Sequence, residues 1–239
     1  MPPTKHKAHD GLGGHVLAFL KLPCHQHPNS FMSETLPGLP ATQTSAPVDS
    51  VDPDKTHPPA TMLRYGSPEA LFLAIPQISE MVQARPREGE EMAAFLSRLR
   101  SSTTPEEAVT FTAFAVVPQL AVWWAYECLR LLPEQIESRD RPLLEAIAGW
   151  TAEPTQDRRF ALMREALFAP FRSPTVMLAL AVGWSGGPLA PNDPMPVPLH
   201  RAPRSINAAV LSCLARADLS RRSVLLARFI TMAEALYRG

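Results

Sequence analysis

Net charge is the first thing this sequence lacks: 23 lysines and arginines stand against 23 aspartates and glutamates over 239 residues. A chain with no excess of positive charge has no global field to draw in nucleic acid or an anionic membrane surface. Neither is expected as a partner. Cysteine is scarce too, and Cys24, Cys128 and Cys213 are far apart and odd in number. That is no disulfide framework; it fits a reducing compartment, so a cytoplasmic location is expected. Also missing is a clean apolar run of membrane-spanning length. The nearest approach, residues 110 to 129, carries Pro118 and Gln119 at its middle and Glu127 near its end, whereas a span needs about 18 or more nearly uninterrupted apolar residues. Two buried helices meeting at Pro118 are expected instead, without membrane insertion. The apolar stretch after Lys5-His6-Lys7 is broken by Lys21 and Pro23 where small residues should precede a cleavage site, which argues against a signal peptide and against a lipoprotein box at Cys24.

Strand-length alternation of apolar and polar residues is absent as well. What is present, from Ser67 onward, is one helical pattern after another. Ser67-Pro68-Glu69, Thr104-Pro105-Glu106-Glu107 and Ser173-Pro174 each place a hydroxyl before a proline at a helix start, where the missing N–H costs nothing. Thr104 with Glu107 also fits a capping box. Apolar stripes fall at helical spacing on Leu120, Trp124, Cys128 and Leu131; on Phe160, Met163 and Leu167; on Ile206, Val210, Cys213 and Ala217; and on Leu225, Phe229, Met232, Ala233 and Leu236. The expected helices are about 68–83, 89–100, 105–117, 119–132, 134–149, 155–169, 174–184, 204–217 and 221–237, with ends free to shift by roughly 2 to 4 residues. The expected fold is all-α: an orthogonal multi-helix bundle over residues 62–239.

Two segments do not read as helix. Residues 1–61 are rich in Pro, Ser, Thr and His, with Phe19 and Phe31 as their only aromatics; such a stretch buries too little apolar surface to offset its ordering entropy and is expected to be a disordered tail. Met32 and Met62 are alternative starts to Met1. Between Gly186 and Pro203, "GPLAPNDPMPVPLHRAP" is too proline-dense for helix and too poor in β-branched residues for strand. It reads as an extended connector before the last two helices.

Four candidate sites follow. Gly183-Trp184-Ser185-Gly186-Gly187 satisfies G-x-S-x-G, the nucleophile-elbow pattern of serine hydrolases. An elbow needs a strand before the serine and a helix after it, while here a helical pattern precedes and prolines follow. A helix end in which Gly183, Gly186 and Gly187 take positive φ is the favoured reading, and a Ser185 hydrolase the rival. His6, His9, His15, Cys24, His25 and His27 are metal-ligating types, but their spacing matches no closed zinc module, and no specific metal and no cofactor are expected. Trp123, Glu127 and Arg130 align at the edge of the Trp124 stripe and form a candidate partner surface, since Trp and Arg are enriched at binding hot spots. Arg158 and Arg159, near Glu153 and Asp157, read as a solvated helix start, and Arg216, Arg221 and Arg222, like Arg201 and Arg204, as wet faces, with an anion or acidic-partner site made from these arginines as the alternative.

The segments "PEEAVTFTAFAVVPQLAVWWAYECLRL", "LLEAIAGWTAEPTQDRRFALMREAL", "ALAVGWSGGPLAP" and "PVPLHRAPRSINAAVLSCLAR" together resemble a bacterial family of unknown function made of small helical domains, over about residues 100 to 239. The resemblance implies no catalytic residues. It implies a structural signature, Trp124, Trp150, Arg159, Trp184, Ser185, Gly186 and Gly187 beside Trp123, and an accessory or adaptor role linked to type VI secretion. The middle segment is also similar, over a shorter stretch, to helical immunity proteins of bacterial toxin systems. The expected function is therefore non-catalytic binding of another protein, with a cognate toxin as the alternative partner.

Overall fold

The computed structural model describes residues 62–190, 192–193 and 195–238, and it is all-α, with no strand among those residues. Nine α-helices follow in order: α1 Pro68–Ala74, α2 Met92–Arg100, α3 Glu106–Ala115, α4 Pro118–Arg130, α5 Arg141–Ala152, α6 Gln156–Phe168, α7 Pro174–Gly183, α8 Arg201–Arg216 and α9 Leu219–Ala235. The expected tail with Met1 and Met32 and the His/Cys-rich segment with Cys24 fall outside the described residues, whereas Met62, the third start alternative, is the first described residue.

Helices α3 and α7 form the centre. Their sequences are apolar on every side, as a helix surrounded by others must be: every residue of α7 except Met177 is buried, and so is α3 from Glu107 onward. The widest packing is of α7 on α8 and α6, and of α8 on α3 and α4. Buried polar groups tie these layers together. Thr110 Oγ1 donates to Asn207 Oδ1 at 3.1 Å between α3 and α8, and Ser205 Oγ to the Met177 carbonyl at 2.6 Å between α8 and α7. No helix of the described residues is long and apolar enough to cross a membrane; the 110–129 run is two helices parted at Val116–Val117, as Pro118 requires.

Capping follows the sequence at Ser67 and Ser173, whose hydroxyls accept from the amides of Ala70 and Val176, both at 3.2 Å. Thr104 departs from it. Its hydroxyl donates to Glu107 Oε1 at 3.2 Å while the other carboxylate oxygen accepts the Ala84 amide, so the pair joins a loop to α3 instead of closing a capping box. The single helix expected over 68–83 is broken at Pro76, which pushes Ile75 out of helical geometry (φ −131°, ψ 75°), and the chain resumes as a 3₁₀ turn, Pro76–Glu80. The helix expected from 134 begins at Arg141, after two 3₁₀ turns, because Pro142 needs a first-turn position. Helix α8 starts earlier than expected, at Arg201, and takes Pro203 into its first turn.

The stripe expected on Phe160, Met163 and Leu167 is also corrected. The buried face of α6 is Arg159, Leu162, Met163 and Ala166, which leaves Leu167 49% exposed. The stripes on α8 and α9 hold, with Met232 half-buried and the others in the core.

Candidate functional site

Residues 183 to 187 carry the chain out of α7 by a tight turn. Helix, not sheet, leads into Ser185: its amide donates to the Val182 carbonyl at 3.1 Å, and its Oγ donates to the Ala181 carbonyl at 2.7 Å, capping the helix end. Gly186 (φ 155°) and Gly187 (φ 70°) take the positive φ that the reversal demands. Gly183 does not, contrary to expectation. It is helical, and it is glycine because α6 passes too close: a Cβ there would lie 2.5 Å from Met163 Cβ. The connector then doubles back, with an antiparallel bridge between Pro188 and Pro196 and the Val197 amide donating to the Gly187 carbonyl at 3.3 Å.

Arg159 organises this turn. Far from being solvated, it is 3% exposed; its neighbour Arg158 takes the solvent side, where it pairs with Glu153 at 2.7 Å. The Arg159 guanidinium donates from Nη1 to Gly183 O (2.6 Å), from Nη2 to Pro188 O (2.8 Å) and from Nε to Gln156 Oε1 (2.7 Å), and its Cζ lies 4.4 Å from the Phe160 ring centroid. All three acceptors are neutral. Burial pulls its pKa down from the ordinary value, since the charged form loses solvation.

A cleft of about 390 Å³ opens beside the turn. Pro118 and Gln119 of α4, Trp150 of α5, and Gln156 and Arg159 of α6 form its walls, with Ser185, Gly186 and Gly187 as the lip. Gln119 is fixed by its Nε2 bond to the Thr151 carbonyl at 2.8 Å. Five residues of the implied signature, Trp150, Arg159, Ser185, Gly186 and Gly187, thus meet at one place. Trp184 lies beneath the turn in a smaller adjoining pocket, with Arg64 and Pro118. The segment before α1 brings Arg64 there by pairing with the α3–α4 link, Arg64 N to Ala115 O at 2.8 Å and Val117 N to Met62 O at 3.0 Å. Arg201 covers Trp184, its Cζ 5.9 Å from the ring centroid. Trp124 is elsewhere, fully buried, its Nε1 donating to the Phe229 carbonyl at 3.1 Å.

The other expected surface, Trp123, Glu127 and Arg130, shares one flank of α4. Trp123 is half-buried against the core, and Arg130 Nη1 meets Glu127 Oε1 at 3.0 Å while its Cζ lies 5.5 Å from the Tyr126 ring centroid. Among the described residues no three His, Cys, Asp or Glu side chains gather as a metal site.

One surface was missed by sequence reasoning. Where α6 ends, Phe168 (84% exposed) and Phe171 (62%) project into solvent, next to Leu167 in the chain, on a hollow of about 670 Å³ lined by Leu143 and Val176 and by Asp140, Arg164 and Glu165. Arg139 lies over the Phe171 ring at 4.6 Å, and Arg172 closes the loop by donating to the Ala166 and Ala169 carbonyls. The available signal was "LFAPFRSP": two phenylalanines in a proline-bounded turn, where a helical stripe cannot bury both.

No curated protein and no solved structure matches the chain significantly. A family model does match, over residues 95–237, which include every residue lining the larger cleft. The chain belongs to that family, described as a family of unknown function, DUF6931.

Proposed function

We propose that the protein is a non-catalytic protein-binding module that serves a bacterial type VI secretion system as a cytoplasmic accessory or adaptor. The observation that carries the binding role is the exposed pair Phe168 and Phe171, next to exposed Leu167, on a hollow that mixes apolar side chains with Arg139, Asp140, Arg164 and Glu165. Large apolar side chains grouped on a surface mark contact sites, and aromatics and arginine supply most of the energy at such contacts. The knuckle of α6 fits that description, with Arg139 already stacked on one ring. The non-catalytic half of the reading is supported by Ser185, whose hydroxyl proton is committed to the Ala181 carbonyl at the end of a helix. The secretion role rests on the sequence resemblance.

The test compares proteins recovered from the source cell on the full chain and on the Phe168→Ser/Phe171→Ser variant. A specific partner enriched by about tenfold or more on the natural chain, equivalent to about 1.4 kcal/mol, supports the reading. Identical recovery on both overturns it. A single tight-binding toxin among the specific partners would replace the adaptor assignment with an immunity one.

A further inference from the structure

Among the described residues Arg159 is the one buried arginine, and it lines the turn cleft. Eight arginines elsewhere, among them Arg98, Arg100, Arg130 and Arg158, pair with glutamates, while Arg85, Arg172 and Arg222 bond backbone carbonyls from more exposed positions, where water still solvates the charge. The three arginines around residues 184 to 187 have no acidic partner among the described residues. Arg159 is bonded to two carbonyls and an amide, Arg64 faces the Tyr65 ring at 5.8 Å, and Arg201 faces Trp184. A guanidinium has five N–H donors, so Arg159 keeps two unused, beside an open cleft. Tying a helix end to a connector needs donors, which neutral side chains supply; it does not need a buried positive charge, whose desolvation is costly without an anion. Arg64 shares that condition, and burial pulls its pKa down as well.

The remaining groups suit an extended chain carrying carboxylates. Trp150 and Pro118 give an apolar wall, Gln119 and Gln156 give amides, and Gly186 leaves the lip bare, since nothing lies within 4 Å of where its Cβ would be. We propose that this cleft receives an acidic segment of a partner protein, one Asp or Glu carboxylate taken by Arg159 while Arg64 and Arg201 hold flanking carboxylates. This rests on the reading of the chain as a protein-binding module and specifies the chemistry of a second contact, apart from the Phe168–Phe171 knuckle.

The experiment titrates the full chain against a fluorescein-labelled peptide bearing a run of six glutamates, with a glutamine-run peptide of the same length as control, by anisotropy. The expected result is saturable binding of the glutamate peptide, at least about tenfold tighter than the control and weakened by salt. Arg159→Gln is expected to weaken it further, but that variant also loses turn contacts. The deciding variant is therefore Arg64→Gln/Arg201→Gln, expected to weaken binding about fivefold or more with an unchanged melting temperature, whereas Arg216→Gln/Arg228→Gln, on exposed positions of α8 and α9, leaves it unchanged. Equal binding of both peptides, no saturable binding, or equal loss in the two double variants overturns the proposal. Partner recovery through Phe168 and Phe171 is read separately, so failure of the cleft leaves the knuckle standing, and the reverse.

Discussion

Arg159 Nη1 donates to the carbonyl of Gly183 at 2.6 Å, reaching 24 residues along the chain to hold the end of α7 against the start of α6. The same guanidinium holds Pro188 past the turn. One side chain thus fixes both sides of the reversal that contains Ser185. Replacing it removes three hydrogen bonds from a charged donor and leaves buried carbonyls unpaired, though it also relieves the desolvation of the cation. Arg159→Ala is expected to lower stability by about 2 to 3 kcal/mol, read as a shifted midpoint in urea unfolding.

The two glycines inside helices should respond with opposite signs. At Gly183 a Cβ would meet Met163 Cβ at 2.5 Å, backbone-proximal atoms that cannot swing away; Gly183→Ala is expected to cost about 1 to 3 kcal/mol by overpacking. At Gly149 of α5 the nearest neighbour is Arg158 Nη1 at 3.9 Å, so Gly149→Ala is expected to gain about 0.5 to 1 kcal/mol from helix propensity. Thermal melts of the two variants beside the natural chain check this.

Trp124 is fully buried and bonded to α9 through Phe229. Truncating a buried large aromatic costs about 3 to 5 kcal/mol, and Trp124→Ala is expected to lose that much. A melting temperature equal to that of the natural chain would mean the ring does not support the core.

Burial raises the thiol pKa of Cys128 well above its ordinary value and that of Cys213 to about 11, and burial raises Tyr237 likewise. Below the ordinary thiol value of 9.0, these groups are protonated whether the chain is folded or not. Above it, the unfolded chain releases protons that the folded chain retains, so the stability they contribute is lost as pH rises. Urea midpoints are expected to hold steady through neutral pH and to fall above about pH 9. In a Cys24→Ser variant, a thiol reagent at pH 8 should find no reactive cysteine until denaturant is added.

Much of the fold was legible because its signals are local. Ser67 and Ser173 cap helices from three residues away, and Pro118 parts α3 from α4. The misread elements were governed by prolines competing with a periodic pattern, at Pro76 and Pro142. The candidate site was harder to read because its causes are distant in sequence. Arg159 is buried by carbonyls 24 and 29 residues away, and Gly183 is small because Met163 of another helix passes beside it. Leu167 sits one position too far round α6 to reach the core, and a stripe drawn at helical spacing included it.

Labelling with a fluorophosphonate reports directly on the rival chemistry. No adduct that disappears in Ser185→Ala is expected, because the Ser185 hydroxyl is held by the Ala181 carbonyl. Labelling abolished by that substitution would make the serine a nucleophile.

The binding role itself is tested most directly by placing a photo-crosslinking benzoylphenylalanine at position 168 and, separately, at position 73, since Phe168 and Leu73 are each 84% exposed but only the former belongs to the knuckle. On irradiation in the source cell, a discrete adduct with one protein at position 168 and none at 73 is the predicted result. The same adducts from both positions, or none from either, would contradict it.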